Sequence, residues 1–297
     1  EDACAMTVDV RPPAAALPDP KVRKRKAPKL ANRLGILGGA IVASLLFMAI
    51  AAPWLAPYDP AERVGLPFQA PSAEHLLGTN DVGQDLLSEL IFGARVSLTV
   101  GIVAAVVALI LGTTVGVLAG YYPKRLGRIL MQGVDVLLIL PFLPLLIVLA
   151  AYLGRSLLNT IVVIGVLIWA GPSRIIRSQV LSLRSREYVL AARTMGAPDR
   201  WAIVRHVLPR TALLATGAFV RAVSTAILLE AALSFLGLGD PLQKSWGSIL
   251  FWAQARGAFL TPAWKWWVLP PGLMIMAASL GFALIAFAME ERINPRL

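Results

Sequence analysis

Polar and apolar residues fall into blocks along this chain. Runs free of Asp, Glu, Lys and Arg cover 34–58, 96–123, 136–154, 156–173 and 266–289, and a sixth, about 211–236, is broken only by Arg221 and Glu230. About 20 mostly apolar residues suffice to cross the hydrocarbon core of a bilayer. The runs lack the two-residue alternation of barrel strands, so internal hydrogen bonding in lipid requires helices. The pattern predicts an all-α integral membrane chain with six transmembrane helices. Its expected parts are a disordered basic tail (1–33), a first transmembrane helix (34–56), an outer segment (57–93) and a five-helix core (94–297). That core carries a polar connector at 183–209 and an outer segment at 238–266.

Charge orients the spans. With the N-terminus in the cytoplasm, the inner segments hold 21 of the 28 Lys and Arg residues, which is the positive-inside bias. Both termini are then cytoplasmic, and the net charge of +11 is mostly a topology signal; it does not point to nucleic acid. The run Lys21-Val-Arg-Lys-Arg-Lys26 suits anionic lipid headgroups. Met6 is a candidate native start, with Glu1–Ala5 an appended remnant. The single cysteine, Cys4, excludes an intrachain disulfide and a multi-cysteine metal site.

Several positions within the runs stand out. Gly112, Gly116 and Gly120 share a helix face and permit close helix approach, with a pore or hinge role as the other reading. Pro141 and Pro144 should kink the third span. Asp135, one turn into that span, can reach the cytoplasmic interface. Arg221 and Glu230 are candidate pathway or intersubunit residues, since charges within spans mark function by default. Nine helical steps set them on opposite sides of their helix, so each needs a partner elsewhere. The aromatic segment 238–266 reads either as an interfacial belt or as a short helix over the outer mouth of a pathway.

The connector is the most structured polar stretch. Glu187-Tyr-Val-Leu-Ala-Ala-Arg-Thr-Met-Gly196 and Ala-Pro-Asp-Arg-Trp-Ala-Ile-Val-Arg-His206-Val-Leu-Pro209 read as two short helices joined at Gly196-Ala197-Pro198, with Ala191 and Ala192 as a small apolar patch among arginines. Pro198 can start the second helix and Pro209 should end it. No phosphate loop flanks any lysine, no metal cluster forms from His75 and His206, and no Ser-His or paired-carboxylate constellation emerges. Catalysis by this chain has no support.

Four stretches together resemble the C-type permease subunit of oligopeptide/dipeptide ABC importers, over about residues 34–297. They are His75 to Leu98, Glu187 to Pro209, Leu229 to Gly239 with Ser245-Trp-Gly247, and Trp266-Trp267 with Pro270-Pro271-Gly272 and Asn294-Pro-Arg-Leu297. The second is similar to that family's E-A-A loop, with Leu190 at the glutamate position and His206 at the isoleucine position. Gln84 stands where relatives often carry Arg. The resemblance implies a type I ABC-importer permease fold in the cytoplasmic (inner) membrane of a prokaryote. It implies ATPase coupling through Glu187, Ala191, Ala192, Arg193, Gly196, Ala197, Arg200, His206, Leu208 and Pro209. It also implies a second homologous permease, two ATP-binding subunits and an extracytoplasmic peptide-binding protein as partners. The chain would bind no cofactor or metal itself; ATP and Mg would sit on the ATPase subunits. The open alternatives are an ATP-independent channel or secondary transporter, a permease for nickel chelates or another small solute, and a membrane scaffold or sensor.

Overall fold

The computed structural model describes residues 29–293 and is all-α. The expected tail (1–33) lies mostly outside the described residues, as do Cys4, Met6 and Asn294–Leu297. Helix α1 begins at Lys29, four residues before the expected end of the tail, and stops at Ile50 instead of 56. Pro53 has no N–H for the carbonyl four residues back, so the helix breaks and restarts as the single turn α2 (Ala52–Leu55) with Pro53 in its first positions.

Helix α3 (Leu86–Tyr121) is the central post, 36 residues and therefore about 54 Å long. It outreaches a hydrocarbon core of about 30 Å. The second outer boundary at 93 thus falls inside a helix that has already run two turns. Asp85 starts it by accepting hydrogen bonds from the Ser88 amide (2.8 Å) and hydroxyl (2.7 Å).

The third and fourth spans are bent pairs. Helices α4 (Arg125–Ile139) and α5 (Phe142–Leu153) meet at 92°, and α6 (Leu157–Ile168) and α7 (Ala170–Arg184) at 42°. Leu140 is extended because Pro141 follows it, and that proline makes the sharp break. Pro144 sits in the first turn of α5, where a missing N–H costs nothing. Pro172 withholds the amide that would bond Ile168, which accounts for the bend at Trp169. The fourth span was expected to end at 173; its helix continues to Arg184 and carries the basic residues with it. Among the described residues, four continuous helices are long and apolar enough to cross a membrane, or up to six spans if each bent pair is one.

The remaining elements are α8 (Glu187–Thr194), α9 (Asp199–Ala202), a π-helical turn (Ile203–Val207), α10 (Leu208–Phe235), α11 (Trp246–Ala255), a 3-10 turn (Ala258–Leu260), α12 (Trp264–Trp267) and α13 (Leu269–Ile293).

Small residues set the helix contacts. A Cβ on Gly112, Gly116 or Gly120 would lie 3.0 Å from the Trp169 carbonyl oxygen, 2.8 Å from that of Ser173 and 2.6 Å from Val180 Cβ, so α3 packs backbone-close along α6–α7, the helices running parallel. The glycine stripe is a packing face. On the other side α1 lies antiparallel to α13, with Gly38 facing the Gly281 carbonyl. The main core joins α1, α3, α10, α11 and α13 around Leu90, Leu98, Val223, Ile227, Trp246 and Phe282.

The bundle has two unlike ends. One, the hairpin end, carries the α3–α4 turn and residues 185–207. The other, the capped end, is closed by residues 51–85 and 236–268, folded onto the starts of α3, α6 and α11.

Candidate functional site

The hairpin at 187–207 is held by ring and cation–π contacts among Tyr188, Trp201, His206 and Arg210. The Arg210 guanidinium lies over the Tyr188 ring at 4.1 Å, and His206 sits against both Tyr188 (5.7 Å between ring centres) and Trp201 (4.9 Å, edge-on). Cation–π and aromatic contacts of this kind contribute about 0.5–1.5 kcal/mol each. A small core under the hairpin joins Val117 and Tyr121 of α3, Ile176 and Val180 of α7, and Ala202 and Val207. The Tyr121 hydroxyl donates to Asp199 at 2.9 Å, which pins α9 to the end of the central post.

At the corner, Gly196 has φ +85°. The Ala197 amide reaches back to the Ala192 carbonyl (3.0 Å), the bond that closes a helix through a left-handed residue. A Cβ on Gly196 would meet nothing in this chain, so backbone conformation is what selects glycine within the chain. Pro198 precedes α9 as its N-cap. Pro209 does not end the second helix, contrary to the sequence expectation. It occupies the first turn of α10, and the chain stays helical from Asp199 to Phe235 through the π turn, closed by Leu208 N–H to Ile203 O. A proline is tolerated there because the five-residue step upstream reassigns the carbonyls it would have left open.

The apolar patch also differs from expectation. Ala191 is exposed, but Ala192 is 5% exposed and belongs to the chain's own packing, as does Val189. The large apolar side chains that the hairpin exposes are Leu190, Met195 (82% exposed), Trp201 and Val204, and Glu187, Arg200 and Arg205 are exposed as well. Ala197, His206 and Leu208 are half-buried and Pro209 is exposed. Arg193 lies on α8, its side chain outside the described ones. The hairpin therefore exposes apolar side chains and arginines on a mount that continues without a break into α10.

Residues 112–297 match the model of the binding-protein-dependent transport system inner membrane component, and residues 30–77 match the N-terminal TM domain of oligopeptide transport permease C. The chain belongs to this family of transport components. It is 37% identical over 272 residues to the dipeptide transport system permease protein DppC of Alkalihalophilus pseudofirmus, covering 90% of this chain and 87% of that one. It is 38% identical over 276 residues to the di/tripeptide transport system permease protein DppC of Pseudomonas aeruginosa, covering 90% of each. A putative peptide transport system permease protein of Brucella suis is 39% identical over 265 residues, covering 88% of this chain and 87% of that one.

In this inner-membrane component, the two charges within the sixth apolar run have partners in the same chain. Arg221 pairs with Glu290 of α13, both half-exposed. Glu230 is 2% exposed and accepts from Ser97 (3.0 Å) and Ser234 (2.7 Å). Within this chain, serine hydroxyls from α3 and α10 and from the start of α11 surround its carboxylate. Asp135 pairs with Arg174 of α7.

The capped end holds what sequence reasoning missed. Lys244 bonds both Glu89 and Gln84, Asn80 donates to Glu89 (2.7 Å) and Gln84 (2.9 Å), and Arg256 pairs with Asp81 (2.8 Å). His75 meets Asp85 at 3.1 Å, out of solvent. Trp246 is fully buried, and its indole N–H donates to the Leu90 carbonyl at 3.0 Å. The aromatic segment 238–266 thus divides: Trp246 anchors α11 in the core, while Trp252 and Trp264 remain on the surface. Gly83, with φ +85°, is required because a Cβ would lie 2.1 Å from the Gly65 carbonyl. The only signal in the sequence was the density of Gly, Asn and Asp between His75 and Asp85.

Proposed function

We propose that this chain is one of two homologous permease subunits of an ATP-driven importer that moves small peptides into the cytoplasm by alternating access. Both termini and the hairpin face the cytoplasm of a prokaryote, and the capped end faces outward, where an extracytoplasmic peptide-binding protein delivers cargo. Each permease hairpin seats on one of two ATP-binding subunits, which carry the ATP and Mg. The names of the relatives support peptide as the cargo, and the charge distribution along the chain supports the orientation.

The observation that carries this reading is the set of exposed apolar side chains Leu190, Met195, Trp201 and Val204 on a hairpin packed against α3 and α7. A solvated connector has no reason to expose four large apolar side chains within one short hairpin; a groove in a partner gives one. Approach of the two ATPase domains would push the hairpins together. Because α9, the π turn and α10 form one helical rod, that push reaches the capped end as a tilt of α10.

The experiment is co-purification of the ATPase subunits, with ATP-dependent peptide uptake into proteoliposomes, for Met195→Glu and Val204→Glu. A charge forced into an apolar contact should weaken docking at least about tenfold while the spans still insert. Unchanged docking and uptake in both variants would remove the coupling assignment. Uptake by the wild-type chain without ATP would favour a channel or secondary transporter instead.

A further inference from the structure

A cleft of about 450 Å³ opens at the capped end, between the 57–85 segment, one face of α3, the head of α6 and the loop before α11. Its size is that of sites for small organic ligands. Phe92 and Leu157 supply apolar wall, and Gln84, Gln243, Lys244 and Arg95 supply polar groups. The cations are not equivalent. Lys244 is committed to the Glu89 carboxylate and the Gln84 carbonyl. Gln84 is used too, its amide donating to the Ala61 carbonyl at 3.0 Å. Arg95 is exposed in the cleft and makes no ion pair or side-chain hydrogen bond among the described residues.

An unpaired guanidinium beside apolar wall is an incomplete arrangement. It offers a planar fork of N–H donors that matches a carboxylate in two parallel bonds. With the Lys244 charge balanced by Glu89, the cleft carries one net positive charge. A ligand with one carboxylate completes it, and the Gln243 carboxamide suits an adjacent amide.

We propose that this cleft is a cargo subsite at which Arg95 holds the C-terminal carboxylate of a small peptide as it enters the permease. The assignment rests on the importer reading above and adds to it a position and a chemical group.

The test is equilibrium dialysis of radiolabelled trialanine and of its C-terminal amide against the assembled permease–ATPase complex in nanodiscs, without binding protein. The wild-type complex should bind the acid about tenfold or more tightly than the amide, the scale of one charge-assisted bidentate contact. Arg95→Gln should bring the two to equal affinity, and Arg95→Lys should keep part of the difference. Equal binding of acid and amide by the wild type would overturn the proposal. So would a preference that survives in Arg95→Gln, or no saturable binding at 10 mM, on the order of the weakest affinities of use to a transporter. If Arg95→Gln only weakens complex assembly and leaves the preference intact, Arg95 serves a protein partner and the subsite is refuted. Failure of the importer reading shows separately, as absence of ATP-dependent uptake by the wild type with its binding protein.

Discussion

Gly196 separates two explanations of why the hairpin needs glycine, and they order the same substitutions differently. If the demand is conformational, the cost follows from φ +85°. An L-residue with a Cβ pays about 1–2 kcal/mol in the left-handed region, while Asn enters it more readily than other residues. Gly196→Ala should therefore shift the balance between closed and open hairpin by about 5- to 30-fold. Gly196→Asn should shift it less, although Asn is larger. If the demand is space for an approaching ATPase surface, bulk decides, and Asn must be worse than Ala. The structure leaves the position open, with nothing within 4 Å of where a Cβ would stand, so no intrachain clash confuses the comparison. The assay is titration of purified ATPase subunits onto the permease complex in nanodiscs, with ATP-dependent uptake as the second readout. The order Gly, Asn, Ala from tightest to weakest supports the conformational account. The order Gly, Ala, Asn refutes it and assigns the glycine to the partner's surface.

The capped end and the helix contacts give further expectations. Lys244→Met takes the cation from the buried Glu89 carboxylate and should lower the melting temperature in detergent, whereas Glu89→Gln combined with Lys244→Met should recover most of the loss. A melt unchanged in the single variant would show that the pair is not a stability element. Gly116→Ala, whose Cβ would stand 2.8 Å from the Ser173 carbonyl, should destabilise by about 1–3 kcal/mol; Gly39→Ala, with open space around it, should be neutral or stabilise by about 0.5–1 kcal/mol. Equal effects in the two would count against the close α3–α7 contact.

The apolar blocks determined by themselves that the chain is all-α and built of membrane-spanning helices, because bilayer thickness and backbone hydrogen bonding act on any run of that length. Local chemistry was legible for the same reason: Gly196-Ala-Pro198 marks a corner whatever surrounds it, and a proline must disturb a helix somewhere near Pro141. What local rules could not reach were quantities that depend on neighbours. Only the packed structure decided that Pro141 bends its span by 92° while Pro144 bends nothing, since the cost of a missing N–H depends on where the helix starts. It turned Ala192 inward and left Ala191 out, because which face of α8 is buried depends on α7 and α9, which pack against it. It joined Lys244 to Glu89 across 155 residues of chain and enclosed Glu230 between two serines, as no periodic pattern encodes a contact between distant segments. Sequence sets which stretches enter the membrane; the tertiary structure sets what each charge and each small residue meets there.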